Sequence, residues 1–237
     1  MKKIKTFLIT FIFSIFYGNA IAGTGAATEY KITIYKIKLC DSTSSASACN
    51  GAITIYDGNS GAIDIANTTA GAAAASLGNA NAAKFGTSYT YLQITMGRDF
   101  TVKGSAADDS GTTCYTKSDG SAGELAKGSA ESGDEASATL YAAMVGTDVG
   151  NNLTGLQTLT DTTGVASTIE NNDEFFQYRQ ELASTFIMEP GNIPSVSIAF
   201  GTSAAVGAID DMGDDCETVD ENVGLYAAEP DVTVTIE

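Results

Sequence analysis

Glu29–Cys40, with the sequence EYKITIYKIKLC, decides the fold of this chain. The apolar residues of its first half are Tyr30, Ile32 and Ile34, and those of its second half are Ile37 and Leu39. A spacing of two residues predicts a β-strand with one buried face. The phase of the alternation changes by one residue at Tyr35, which predicts a β-bulge or a strand that passes between two sheets at a corner.

The residues before this strand have the features of a secretory signal peptide. Lysines at positions 2, 3 and 5 precede an apolar run, Phe7–Tyr17, and Ala20-Ile21-Ala22 matches a cleavage site. We therefore expect residues 1–22 to be removed and the exported chain to begin at Gly23. The apolar run is shorter than the roughly 20 residues of a transmembrane helix, and no later stretch is apolar enough to span a bilayer as a helix. These features predict an exported protein in the periplasm, at the cell surface or outside the cell.

The composition is acidic, but it is not that of a disordered chain. The formal charge of −17 becomes −20 once the three lysines of the signal peptide are removed, yet only 17% of the residues are charged. A strongly negative surface repels the phosphates of nucleic acids and of anionic lipids, so we expect no nucleic acid partner. Residues 23–237 are long enough for a single domain of sandwich or barrel size.

Four cysteines behind an export signal predict disulfide bonds. Cys40 and Cys49 bracket a short polar loop, so we expect them to pair with each other, and Cys114 would then pair with Cys216 over a long range. The two other ways of pairing four cysteines are also compatible with the sequence. No Cys-x-x-Cys motif is present, so neither a redox site nor a zinc ribbon is predicted.

Short strand patterns recur along the rest of the chain. They are Ala52–Tyr56, Ala62–Ile65, Gly86–Met96, Asp99–Lys103, Ala136–Val145, Val196–Phe200 and Asp231–Glu237. The turn signal Asp57–Gly61 between the first two predicts a hairpin. Ala136–Val145 also fits a helix, and a strand is preferred because glycines and β-branched residues follow it. Roughly eight to ten short strands, with at most one or two short helices, predict an all-β fold, a two-sheet Greek-key β-sandwich with long polar loops.

Two further segments have more than one interpretation. Residues 105–135 are polar, rich in glycine and acidic, which predicts either a long polar insertion at the surface or a hairpin held by a disulfide. Asn172–Phe186 is the strongest helix candidate, because Phe175, Tyr178 and Leu182 would share one helical face. Its aromatic content also fits a strand.

The residue inventory excludes most catalytic chemistry. The chain contains no histidine, so Ser-His-Asp and Cys-His catalysis and histidine-ligated metals are absent. No glycine-rich loop joins a strand to a helix, and the chain has no tryptophan that would form a sugar-binding platform beside paired carboxylates. We therefore expect no enzymatic activity and no catalytic residues.

The acidic loop, residues 210–222, is the sharpest candidate site. Its candidate calcium ligands are Asp210, Asp211, Asp214, Asp215 and Asp220, and Glu217 and Glu221 add to the same acidic cluster. Clustered carboxylates with glycine supply oxygen ligands, of which calcium prefers about six to eight. The spacing differs from that of an EF-hand, and a solvated acidic loop is the competing interpretation.

Several strand patterns resemble a family of bacterial exported β-sandwich domains of unknown function. Tyr30–Leu39, Ile63-Asp64-Ile65 and Gly86–Ile94 are similar, in that order, to the family's V-x-I-x-x-V-x-L, D-[LI]-[LIA] and G-T-Y-t-x-[IL]-R strands. Val196–Phe200 is similar to its later L-x-F-D-x-x-x-S strand, without the aspartate, and Ser88 interrupts the G-T-Y pattern. The resemblance implies a prealbumin-like or immunoglobulin-like sandwich at the cell surface, and it carries over no catalytic residues.

These observations predict a secreted, non-enzymatic structural protein, a subunit of an extracellular filament, pilus-like appendage or surface coat. The N-terminal arm, Gly23–Thr28, is placed to extend onto the sheet edge of a neighbour, as in donor-strand exchange. The expected partners are therefore copies of this chain or other surface proteins. The alternative is a calcium-dependent adhesion or glycan-binding module that uses the acidic loop.

Overall fold

The computed structural model describes residues 23–67, 79–118, 125–133, 135–141, 156–160, 166–167, 175–190, 196–220 and 223–236. The described strands are β1 (Thr24–Gly25), β2 (Ala27–Asp41), β3 (Ile53–Asp57), β4 (Ala62–Asp64), β5 (Ser88–Gly97), β6 (Asp99–Ala107), β7 (Thr113–Thr116), β8 (Gly128–Ser129), β9 (Ala138–Tyr141), β10 (Leu156–Thr160), β11 (Ala166–Ser167), β12 (Phe175–Ile187), β13 (Val196–Gly201), β14 (Val206–Ile209), β15 (Gly224–Ala227) and β16 (Asp231–Ile236). A 3₁₀ turn covers Ala80–Ala82.

Strand β2 is the spine of the fold, and its alternation changes phase where the sequence predicts. The buried residues of this strand are Ala27, Tyr30, Ile32, Ile34, Ile37, Leu39 and Cys40. Against β5, Ile34 pairs with Met96 and Lys36 pairs with Thr95, so Tyr35 is the extra residue of a bulge. The bulge lets both halves of one strand bury apolar side chains although their phases differ.

Each edge of β2 pairs with two strands, one along each half of β2. On one edge β3 pairs with the second half of β2, and β4 then pairs with its first half. On the other edge β5 and β6 do the same. The chain therefore changes sheet on both sides of β2 near the level of the bulge, as at a sandwich corner.

The hairpin predicted for residues 52–65 is wrong, because β3 and β4 pair with β2 and not with each other. The turn signal Asp57–Gly61 marks a bend instead of a reversal. The amide groups of Gly58 and Ser60 donate to the carbonyl oxygens of Tyr35 and Ile34, at 2.9 and 3.0 Å. These bonds hold the bend beside the bulge of β2, so the two segments of the chain change direction at the same level of the sheet.

The strands form an all-β, sandwich-like fold, as predicted. The second half of β2 belongs to a sheet with the order β3-β2-β5-β12-β10-β11, and its first half lies between β4 and β6. Strands β7, β8 and β9 extend the β6 side, while β13–β16 and β1–β14–β15 form separate small sheets. One continuous apolar cluster joins these sheets. Within the described ranges, no helix has the length and apolar character needed to cross a membrane.

The helix predicted for Asn172–Phe186 is wrong, since Phe175–Ile187 is strand β12. It pairs antiparallel with β5 and, on its other edge, with β10. Both Phe176 and Tyr178 are buried against the core. The ladder bonds and cross-strand packing available beside β5 outweigh the chance helical spacing of the aromatic residues.

The polar segment 105–135 follows the second of its two interpretations where it is described. Strand β6 continues to Ala107, and β7 returns beside it, with Ala106 opposite Cys114. The described part therefore contains a hairpin that is held by a disulfide and extends the sheet. The predicted C-terminal strand is also present, since β16 pairs with β13 along its whole length.

Candidate functional site

Both cysteine pairs lie at disulfide distance in the pairing expected from the sequence. Cys40, at the end of β2, is joined to Cys49 in the polar loop that follows it. Cys114 on β7 is joined to Cys216 in the acidic loop, across 102 positions of sequence. The second bridge therefore ties the candidate acidic site to the hairpin of β6 and β7.

The carboxylates of the acidic loop shape its backbone turns. Asp211 Oδ1 accepts a hydrogen bond from the amide of Gly213 at 2.9 Å, and Asp215 Oδ1 accepts one from the amide of Glu217 at 3.1 Å. Aspartate commonly bonds to its own backbone two residues on in this way, because the short side chain mimics a turn of main chain. The geometry of these two side chains is thus explained without a ligand.

The five predicted calcium ligands do not form a cage in the described structure. Asp210, Asp211, Asp214, Asp215 and Asp220 are all exposed. Among the residues that the structure describes, no three acidic side chains are close enough together to hold one metal ion. Glu221 lies outside the described residues. Calcium binding at this loop stays a prediction, and the described geometry gives it no support.

Asp108 is the buried carboxylate of this region, with 5% of its surface exposed. Its Oδ1 accepts from the hydroxyl of Ser110 at 2.7 Å and from the amide of Thr112 at 2.9 Å, and its Oδ2 accepts from the amide of Met212 at 3.1 Å. Burial alone raises the pKa of Asp108, but these hydrogen bonds outweigh it and hold the pKa below its usual value. The ionised side chain therefore fastens the acidic loop to the turn after β6.

We expect Asp108 to make stability depend on pH in the acid range. A carboxyl group whose pKa is lower in the folded state stabilises the fold above its unfolded pKa of about 3.9, and this contribution is lost as pH falls through the folded pKa. Wild type and Asp108→Asn should be compared by urea unfolding from neutral pH down through this range. The gap between their unfolding free energies should be full near neutral pH and should shrink as the solution is acidified below pH 4 or so.

The N-terminal arm lies in a slot of its own domain. Thr24 and Gly25 pair antiparallel with Gly207 and Val206 of β14, and the amide of Ala208 donates to the carbonyl of Gly23 at 2.9 Å. On the opposite side the arm lies against β6. A side-chain carbon added to Gly25 would overlap the carbonyl oxygen of Ser105 on that strand. The slot therefore has no room for a side chain at position 25, which explains why this residue is glycine.

A small apolar cavity lies where β2, β5 and β12 face β13 and β16, and it has a volume of about 60 Å³. Its aromatic wall consists of Tyr30, Phe100, Phe176, Tyr178 and Phe200. Glu229 is the one carboxylate among the lining residues within the described ranges. We call this group of six residues the aromatic pocket. Because its members come from five separate parts of the chain, no local sequence pattern predicts the pocket.

The two phenol groups of the aromatic pocket already have hydrogen-bond acceptors. The hydroxyl of Tyr30 donates to the carbonyl of Ala228 at 3.1 Å, and that of Tyr178 donates to Oε1 of Gln180 at 2.6 Å. Burial raises the pKa of both phenols, and the negative charge of Glu229 raises it further. Both phenols are therefore neutral hydrogen-bond donors at physiological pH, and neither is an activated base.

Comparison with known proteins identifies no relative of this chain. No protein-family model, no curated protein and no solved structure matches it. The resemblance to exported β-sandwich domains therefore stays a prediction, and function has to be argued from the sequence and the geometry.

Proposed function

We propose that this protein is an exported, non-enzymatic structural subunit of an extracellular filament, pilus-like appendage or surface coat. The two cysteine pairs at disulfide distance support an oxidising compartment outside the cytoplasm. Residues 1–22, which have the features of a signal peptide, support export to such a compartment. A disulfide-pinned all-β body with one continuous core suits a rigid building block.

The observation that carries the proposal is the pairing of the N-terminal arm with β14. The arm is the first segment of the chain expected after cleavage, and backbone hydrogen bonds hold it on β14. A strand at a free chain end that is held by backbone bonds can be replaced by the same strand of a second copy, because the exchanged contacts are identical. The arm therefore supplies a route to self-association that uses no additional binding surface.

Exchange of the arm leads to two kinds of assembly. A reciprocal exchange between two copies closes into a symmetric dimer, whereas a head-to-tail exchange continues into an open chain of subunits. The cost of either arrangement is low, since every slot between β6 and β14 is filled in the closed dimer, and every slot except the one at the end of the row is filled in the open chain. The proposed filament or coat corresponds to the open arrangement.

We expect Gly25→Ala to weaken self-association while Thr24→Ala leaves it unchanged. The methyl group of the first variant would overlap Ser105 in the slot, whereas Thr24 is exposed and its side chain is dispensable there. Sedimentation velocity over a range of concentrations measures the association of both variants and wild type, and circular dichroism checks that each is folded.

The outcomes of this comparison separate two claims. Association of Gly25→Ala at the wild-type level would contradict the role of the arm while leaving a structural subunit possible through another surface. A wild-type protein that stays monomeric at every concentration would contradict self-assembly as an intrinsic property of the chain.

A further inference from the structure

We propose that the aromatic pocket binds a small alkylated ammonium group, such as the trimethylammonium head of choline. This inference is independent of the proposed structural role, because it depends on the side chains of the interior and not on how copies associate. It follows from three features of the pocket: its aromatic wall, its single carboxylate and its size.

The wall of the pocket offers several aromatic rings to one ligand. Five of its residues are aromatic, and the rest of the lining is almost entirely apolar apart from Glu229. The rings of Tyr30 and Phe100 have centroids 5.5 Å apart, and those of Phe100 and Phe176 lie 5.7 Å apart at a steep angle. Aromatic rings carry negative π-electron density on their faces, and a cluster of such rings is the chemistry that recognises quaternary ammonium groups.

Among the lining residues that the structure describes, the only charged side chain is negative. Glu229 lines the pocket, and its negative charge helps to raise the pKa of the neighbouring Tyr178 phenol. The whole chain carries a formal charge of −17, which also favours cations over anions near the pocket. An anionic ligand would be repelled by the carboxylate of Glu229. It would also find both lining phenol hydroxyls already donating to Ala228 and Gln180.

The size of the cavity sets the size of the ligand. A volume of about 60 Å³ is far below that of a site for a drug-sized molecule. Because a single water needs about 10–15 Å³ of such volume, the cavity of about 60 Å³ holds on the order of four to six heavy atoms. A trimethylammonium group has this size, and its methyl groups suit an apolar wall while its charge suits the carboxylate.

The first experiment titrates wild-type protein with choline and, separately, with 3,3-dimethyl-1-butanol, using calorimetry. The second compound has the same shape but carries a carbon in place of the charged nitrogen. We expect choline to bind in a saturable manner and about tenfold or more tightly than the neutral compound, since cation–π and carboxylate contacts need the charge. Equal affinity for the two compounds, or no saturable binding of choline, would overturn the proposal.

The second experiment assigns the binding to the pocket. Glu229→Gln keeps the shape of the side chain and removes its charge, so we expect the affinity for choline to fall by about tenfold. Glu181→Gln is the matched control, because Glu181 is an exposed carboxylate on β12 and does not line the pocket. Unchanged affinity in Glu229→Gln, or an equal loss in both variants, would refute this location. If Glu229→Gln fails to fold, Phe200→Leu takes its place, because Phe200 is a partly exposed ring of the pocket and its loss should also weaken choline binding, whereas unchanged affinity would refute this location.

Discussion

Replacing Cys114 and Cys216 together with alanine is expected to lower the free energy of unfolding by about 4.7 kcal/mol, the value of the chain-entropy model for a loop of about 100 residues. The bridge closes 102 positions of sequence, and both of its cysteines are fully buried. Alanine is preferred to serine in this test, because serine would leave an unpaired hydroxyl in the core. Urea unfolding in oxidising buffer measures the loss.

The bridge between Cys40 and Cys49 provides the matched control. It closes a separation of only 9 positions, so its removal should cost about 2.5–3 kcal/mol in the same model. The long bridge also fastens the acidic loop to β7, and its loss should expose that loop to proteolysis before the rest of the domain. A larger loss of stability from the short bridge than from the long one would contradict this account.

Replacing Ile37 with alanine should destabilise the protein by about 2–5 kcal/mol, because a fully buried isoleucine leaves a cavity in the core. The neighbouring substitution, Lys36→Ala, should cost less than about 1 kcal/mol. Lys36 is partly exposed and makes only a surface ion pair with Asp57, at 3.3 Å. This contrast reports the phase of β2 directly, since a strand without the bulge would bury position 36 and expose position 37.

Thermal and urea unfolding of the two variants measure the difference. Ile34→Ala serves as a positive control, because Ile34 is buried on the other side of the bulge. Greater destabilisation by the substitution at 36 than by that at 37 would show that the strand lacks the phase change, and the two-sheet arrangement around β2 would then be wrong.

The features that could be predicted from the sequence are those determined by residues close together in the chain. The phase change at Tyr35 is visible in the spacing of apolar residues, and the structure places the bulge there. The pairing of Cys40 with Cys49 follows from their proximity in the chain. The strand at Asp231–Ile236 is visible in the alternation of valine and isoleucine.

The features that could not be predicted depend on partners distant in the sequence. Strand β12 resembles an amphipathic helix until β5 and β10 supply its hydrogen bonds. The turn at residues 57–61 resembles a hairpin until the bend of β2 is known. Asp108 begins a turn with a recognisable Asx pattern, but nothing local indicates that its second oxygen accepts from Met212.

The candidate sites show the same division. The acidic loop is obvious in the sequence, yet the described structure brings no three of its carboxylates together. The aromatic pocket is invisible in the sequence because its residues are assembled by the fold. Charge clustering therefore predicts where acidic residues lie along the chain, while ligand geometry depends on tertiary packing.

The central claim, a self-assembling exported subunit, is tested most directly by electron microscopy of the purified chain beginning at Gly23, with calcium and with a chelator. The account predicts ordered filaments or sheets that need no other protein. Their persistence in chelator would agree with the absence of a carboxylate cage in the described acidic loop. Dispersed single particles under every condition would contradict the claim.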